Sequence, residues 1–147
     1  MKAIPLSVIS LLATPLPSTA TAEPGGPGWT TIADARVSTA QVVDLGEPGD
    51  STGDLLTFDQ PLLNAAGETI GTNSGFCVRT RVGHSYQCQW TLTLPDGTIQ
   101  VAGREFDEGA SMIPIVGGTG DYAGAAGEMQ TVNNGDGTFT QTLYLTK

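Results

Sequence analysis

The sequence predicts an all-β protein, an eight-stranded antiparallel up-and-down barrel. Three observations carry that expectation. Thr, Val and Ile recur from residue 31 onward, and no stretch holds the i, i+3, i+4 apolar stripe of a helix. Turn residues return every ten or so positions, so sequential strands are joined by short connections and form a meander. Eight strands in a meander leave bare edges unless the sheet closes on itself.

The first 22 residues stand apart from this pattern. "MKAIPLSVISLLATPLPSTATA" has one lysine, an apolar run from Ala3 to Leu16, and Ala20-Thr21-Ala22 as an A-x-A cleavage site. Pro5, Pro15 and Pro17 break the run, and it is too short to span a bilayer. Residues 1–22 are therefore expected to be a cleaved signal peptide, the mature chain to start near Glu23, and the protein to be secreted. "EPGGPGWT", residues 23–30, reads as a flexible Pro/Gly linker, and residues 31–147 as a single barrel domain.

The eight expected strands run over 31–44, 54–63, 68–82, 85–95, 98–107, 110–116, 125–134 and 137–146. "EPGDSTGD" at 47–54 is a Pro/Gly loop. "AAG" at 65–67, "PDG" at 95–97 and "GDG" at 135–137 suit tight hairpins that require positive φ. The clearest strand is "YQCQWTLTL", 86–94, in which Tyr86, Cys88, Trp90, Leu92 and Leu94 share one face and Gln87, Gln89, Thr91 and Thr93 the other. Pairing it with "GFCVRTR" through a two-residue turn at Val82-Gly83 sets Cys77 opposite Cys88, Arg79 opposite Tyr86 and Gly75 opposite Trp90. In an exported chain with two cysteines, that register makes a cross-strand disulfide. It also lays Trp90 over the space that Gly75 leaves empty. A turn longer than two residues would break this register.

If Cys77 faces inward, so does Arg79, and a buried guanidinium needs a partner. Two readings stand. Strand twist or a bulge near the rim lets Arg79 and Arg81 reach water, or Arg79 sits in a ligand cavity paired with a carboxylate.

"PIVGGTGDYAGAAGE", residues 114–128, opens like a dinucleotide fingerprint, but no helix can follow Gly120 and no G-K-[ST] is present. Its glycines are expected to turn the chain at a barrel end, with Gly117-Gly118 closing a strand, Gly120 reversing the chain and Tyr122 plugging the barrel.

Charge and composition narrow the function. The chain has 6 Lys and Arg against 15 Asp and Glu; without Lys2 the balance is 5 against 15, a net of −10. No basic stripe is available to replace counterions, which argues against nucleic acid and anionic membranes as partners. One histidine, His84, and no Cys/His cluster argue against a metal site, and neither calcium-loop spacing nor a G-x-S-x-G elbow occurs.

"GDLLTFDQPLLNAAGETIGTNSGFC" at 53–77, then "DGTIQVAG" and "IVGGTGDYAGAAGE", resemble the allene oxide cyclase and dirigent superfamily over about residues 41–146. "NAAGETIGTNSG" is similar to the "DEAGAQIGTSSG" of bacterial spirotetronate Diels–Alder cyclases. The resemblance implies an eight-stranded barrel with an apolar cavity, dimers or trimers, no cofactor, and stereocontrolled ring closure in which the protein shapes its substrate. Cys77 falls on the cavity cysteine of the plant cyclases, Gln60 on an asparagine that holds an ordered water, and Glu105 on a pocket tyrosine. Gln41 falls at their first-strand glutamate.

On this reading the catalytic candidates are Glu105, Arg79 and Gln60, orienting the polar end of a small apolar substrate. Tyr86, Trp90, Leu92, Phe106 and Met112 are the candidate cavity lining, with core filling as the open alternative for Trp90 and Leu92. Glu105 would have a raised pKa unless Arg79 pairs with it, which leaves acid and anchor roles both open. A lipocalin-like secreted carrier without catalytic activity is the rival expectation, and a packed structural barrel a third.

Overall fold

The computed structural model describes residues 28–37 and 39–146. The signal-peptide expectation for residues 1–22, most of the linker and the terminal Lys147 lie outside them.

Nine β-segments build the sheet: β1 (Trp29–Asp34), β2 (Gln41–Val43), β3 (Leu55–Leu63), β4 (Thr69–Arg81), β5 (Ser85–Leu94), β6 (Gly97–Phe106), β7 (Ala110–Gly120), β8 (Gly127–Asn133) and β9 (Thr138–Leu145). Their order is β1-β9-β8-β7-β6-β5-β4-β3-β2, all antiparallel. The barrel closes because β1 bonds β9 along its length and also bonds β3 at Ile32–Leu63 and Ala33–Leu62. β2 then continues along the rest of β3, from Gln41–Thr57 to Val43–Leu55. β1 and β2 together thus form one stave of eight.

The first expected strand, 31–44, is corrected by this break. β1 starts at Trp29, within the stretch read as linker, and a 3-10 turn at Ala35–Val37 interrupts the strand. Asp34 makes the break. Its Oδ1 accepts the Arg36 backbone N–H at 3.1 Å and Nε at 2.8 Å, an Asx-type turn that diverts the backbone from the ladder. The Arg36 hydrogen bonds hold the Asp34 carboxyl below its ordinary range.

The β4–β5 register is as expected, with Cys77 opposite Cys88, Arg79 opposite Tyr86 and Gly75 opposite Trp90. The turn is not. Val82, Gly83 and His84 form a three-residue connection, and the register shifts between Arg79 and Arg81. The bulge at Thr80 adds one residue to β4 and so offsets the longer turn. Cys77 and Cys88 are disulfide-bonded across the ladder, with Cα atoms 4.0 Å apart.

The glycine-rich stretch also differs from expectation. β7 runs on to Gly120 instead of ending near 116, with Gly118 opposite Ile99 and Gly120 opposite Gly97. A Cβ at Gly118 would strike the carbonyls of Tyr122 and Thr98, so the glycine permits close approach as the chain folds back. Gly120, at φ 61°, makes the reversal. Tyr122 stacks on Trp29 at 6.2 Å between ring centroids and packs against the core at that end of the barrel.

Inward-facing side chains divide the interior into two halves. Leu62, Leu92, Ile99, Val101, Met129 and Leu143 are fully buried and fill the half toward Tyr122. The half toward the β4–β5 and β8–β9 turns is where the interior changes character: Gln60, Asn73, Gln141 and Thr131 are buried there beside aromatic rings.

Candidate functional site

That second half holds a cavity of about 180 Å³ that is partly open to solvent. Leu56 and Phe58 from β3, Trp90 from β5 and Phe139 from β9 form its apolar wall, and Ala35 and Ala40 border it at the β1–β2 break. Phe58 meets Trp90 edge to face at 6.4 Å. Gly75 makes this pairing possible. It lies between them in the ladder, opposite Phe58 on one side and Trp90 on the other, and a Cβ there would collide with Gln89 O and Trp90 Cβ.

Glu105 is the titratable group that lines the cavity. It is carried by β6, opposite Tyr86. Thr131 Oγ1 donates to its Oε1 at 3.2 Å, and Cys88 Sγ lies 3.6 Å from Oε2. The sulfur is in a disulfide and has no proton to donate. Burial pushes the Glu105 carboxyl up to about 7 from its ordinary 4.5; the Thr131 hydrogen bond works against this and the nearby Asp107 charge adds to it. A carboxylic acid in an apolar pocket with a pKa near neutrality can give or take a proton at working pH.

The cation that could have lowered Glu105 is engaged elsewhere. Arg79 is 6% exposed. Its Nε donates to Asp50 at 2.7 Å, its Nη1 to Asp107 at 2.6 Å, and its guanidinium carbon sits 3.6 Å above the Tyr86 ring centroid. Neither earlier reading of Arg79 survives intact. It is paired with carboxylates at the rim, beneath the 44–54 loop, outside the cavity lining. The loop is tied down further by backbone bonds from Gly53 N to Arg79 O and from Arg79 N to Asp54 O. Asp54 accepts from the backbone N–H groups of Leu45 and Ser51, which hold its carboxyl below the ordinary range.

Of the residues selected from the sequence, Glu105, Gln60, Trp90 and Cys77 meet at the cavity. Arg79 and Tyr86 line a second, larger pocket of about 470 Å³ with Asp50 and Asp54, which adjoins the first at Leu56. Leu92 is core, packed in the filled half. Phe106 and Met112 are corrected outright: they are 39% and 50% exposed on the outer wall, and Phe106 packs on His84. Gln41 is exposed on β2 and supplies nothing to the cavity. Asn73, Thr131, Phe58, Phe139 and Gln141 were missed. Asn73 was accessible by parity, since it lies on the Gly75–Cys77–Arg79 face of β4; so were Phe139 and Gln141, which share one face of "TFTQTLYL" with Leu143 and Leu145 while Thr138, Thr140, Thr142 and Tyr144 share the other.

Fold and site together define a closed antiparallel barrel, half filled, whose remaining space is an aromatic-walled cavity with one half-buried carboxyl group. The profile of the allene oxide cyclase barrel-like domain matches residues 33–141, and the chain belongs to that family. A comparison with curated protein sequences finds no match. Among solved structures the chain is similar to a pyocyanin demethylase, at 27% identity and TM-score 0.61, covering 78% of this chain and 98% of that one. It is similar to a nonspecific heme-binding cyclase that catalyses a cycloaddition in neoabyssomicin biosynthesis, at 25% identity and TM-score 0.60, covering 78% of this chain and 60% of that one. A pterocarpan synthase dirigent protein shares the fold at 18% identity and TM-score 0.60, covering 77% of this chain and 78% of that one. The structural relatives thus include cyclase-type enzymes.

Proposed function

We propose that this protein is a cyclase-type isomerase that holds a small, largely apolar substrate in the barrel and directs its ring closure. The observation that carries the proposal is Glu105, a carboxylic acid held near neutrality on the wall of an aromatic cavity, with the one buried arginine nearby committed to Asp50 and Asp107. The family and its cyclase relatives support it.

Ring closure of a flexible chain is slow because the reacting ends must be brought into contact. A cavity that holds the chain folded removes that entropic barrier, worth up to ~7–11 kcal/mol in well-oriented cases. The wall of Leu56, Phe58, Trp90 and Phe139 does this shaping. Glu105 acts as the general acid. It donates its proton to an oxygen of the substrate, the polarised carbon accepts the π electrons of the closing bond, and the carboxylate then recovers a proton from the cyclised product. Substrate and product are isomers and no redox partner enters. The cavity, about 180 Å³, is little larger than the ~150 Å³ space that accommodates a benzene ring, so the enclosed part of the substrate is one or two fused rings.

Export belongs to the same proposal. The A-x-A pattern at Ala20–Ala22 supports it, and N-terminal sequencing of protein secreted by the native host should begin at Glu23.

The test is metabolite profiling of host extract incubated with purified protein. Wild type should consume one compound and produce an isomer of unchanged mass, with kcat falling as pH rises past about 7, where Glu105 loses its proton. Glu105→Gln should lower kcat by roughly 10²–10⁴-fold and leave KM within a few-fold. Recovery of a bound compound unchanged from both proteins would mean a carrier and not an enzyme.

A further inference from the structure

The cavity is apolar in its walls but not in its hydrogen-bonding demand. Three buried carboxamides, Gln60, Asn73 and Gln141, line it. Gln60 and Asn73 face each other across the β3–β4 ladder, and neither makes a side-chain hydrogen bond among the described residues. Gln141 uses only its oxygen, accepting from Thr31 at 3.4 Å. Asn73 Oδ1 and Trp90 Nε1 are fully buried polar atoms without a partner. Trp90 is a diagonal neighbour of Asn73 on the inner face, since it pairs with Gly75, two residues further along β4.

A buried amide or indole N–H without a partner is costly, and native proteins leave few of them. Two of the side chains that border the 180 Å³ space carry a fully buried atom without a partner, the donor Nε1 of Trp90 and the acceptor Oδ1 of Asn73. N–H donors not engaged by another side chain stand on Gln60, Asn73, Gln141 and Trp90, beside the unused acceptor of Asn73. An occupant that satisfies them must offer acceptors. It must also not be an anion, because no Lys, Arg or His lines the cavity among the described residues and the buried cation Arg79 is paired with Asp50 and Asp107. Rotating the Asn73 amide about its last torsion exchanges which of its two atoms faces inward.

We propose that the cavity selects a neutral fused ring bearing carbonyl or ring-ether oxygens, and that Asn73, Gln60 and Trp90 are the residues that read those oxygens. This rests on the cyclase reading for the site but not on its chemistry, and it sharpens the substrate from apolar to oxygen-edged. Asn73 and Gln60 fix which edge of the ring points at the β3–β4 wall, and hence which atoms lie near Glu105. They are positioning residues.

The experiment is direct binding of three bicyclic probes to the intact protein by calorimetry: chromone, which is neutral and oxygen-edged; naphthalene, which is apolar; and chromone-2-carboxylate, which is anionic. Wild type should bind chromone at least ~10-fold more tightly than naphthalene, the value of about one satisfied hydrogen bond, and should bind the carboxylate more weakly than chromone. Asn73→Leu should reduce the chromone preference to within about 2-fold while keeping naphthalene binding. If Asn73→Leu does not fold, Trp90→Phe keeps the ring and removes only the N–H, and the chromone preference should fall there too. Equal or tighter binding of naphthalene, tightest binding of the carboxylate, or an unchanged preference in a folded variant would overturn the inference and leave the cyclase reading standing. If none of the three binds, the inference falls, and the metabolite-profiling test decides the cyclase reading separately.

Discussion

A glutamate on a wall of aromatic rings behaves differently from one in water, and at position 105 the difference has a sign. The unfolded chain releases this proton near 4.5, whereas the folded protein holds it to about 7. Between those values the folded state binds more protons than the unfolded one, so stability is full at the acid end and is lost as pH rises through the window. The expected loss is on the order of 2–3 kcal/mol. Urea unfolding at pH 4.5 and pH 8 should show this fall relative to Glu105→Gln, whose side chain does not titrate; parallel pH dependence in the two proteins would contradict the desolvated placement of the carboxyl group. The sequence made Glu105 a candidate and named both of its fates. It could not choose between them because the choice depends on Arg79, whose partners Asp50 and Asp107 are 29 and 28 residues away in the chain.

At the scale of elements, β4 and β5 were legible because their side chains alternate cleanly and two cysteines fix the register. The error in the turn was absorbed by the bulge at Thr80, which sequence patterns do not announce. Gly75 is the position on which these two strands depend. Gly75→Ala would press a methyl group into the Gln89 carbonyl and the Trp90 side chain, and should destabilise the fold by about 1–3 kcal/mol, read from the urea midpoint, while loosening the Phe58–Trp90 wall. The break between β1 and β2 was missed because no proline or glycine marks it. Its signal was Asp34, whose side chain captures the Arg36 N–H, but many aspartates could do so and the pairing of β1 with both β3 and β9 is what makes use of it.

For the whole molecule, closure and half-filling are the decisive features. The disulfide closes an 11-residue separation between strands that are already paired, so it adds stability without setting topology. Cys77→Ala with Cys88→Ala should lower the unfolding free energy by about 2–3 kcal/mol, measured in urea, and retain the far-ultraviolet circular dichroism of the barrel. Loss of the sheet signal would show that the staple is needed for folding.

The sequence by itself determined the all-β class, the meander, the strand count as staves and the β4–β5 register. These follow from local alternation and turn chemistry, which short windows contain. It also supplied the family, through the ordered motifs from Gly53 to Glu128. Only the tertiary structure decided which inward residues fill the barrel and which surround space. Leu92 and Trp90 share one face of β5, yet Leu92 is packed core and Trp90 lines the cavity. The difference lies in what stands across the barrel: Leu62, Met129 and Leu143 in one half, and the amides and Glu105 in the other. Parity along a strand says which way a side chain points; the opposite wall says whether anything is there to meet it.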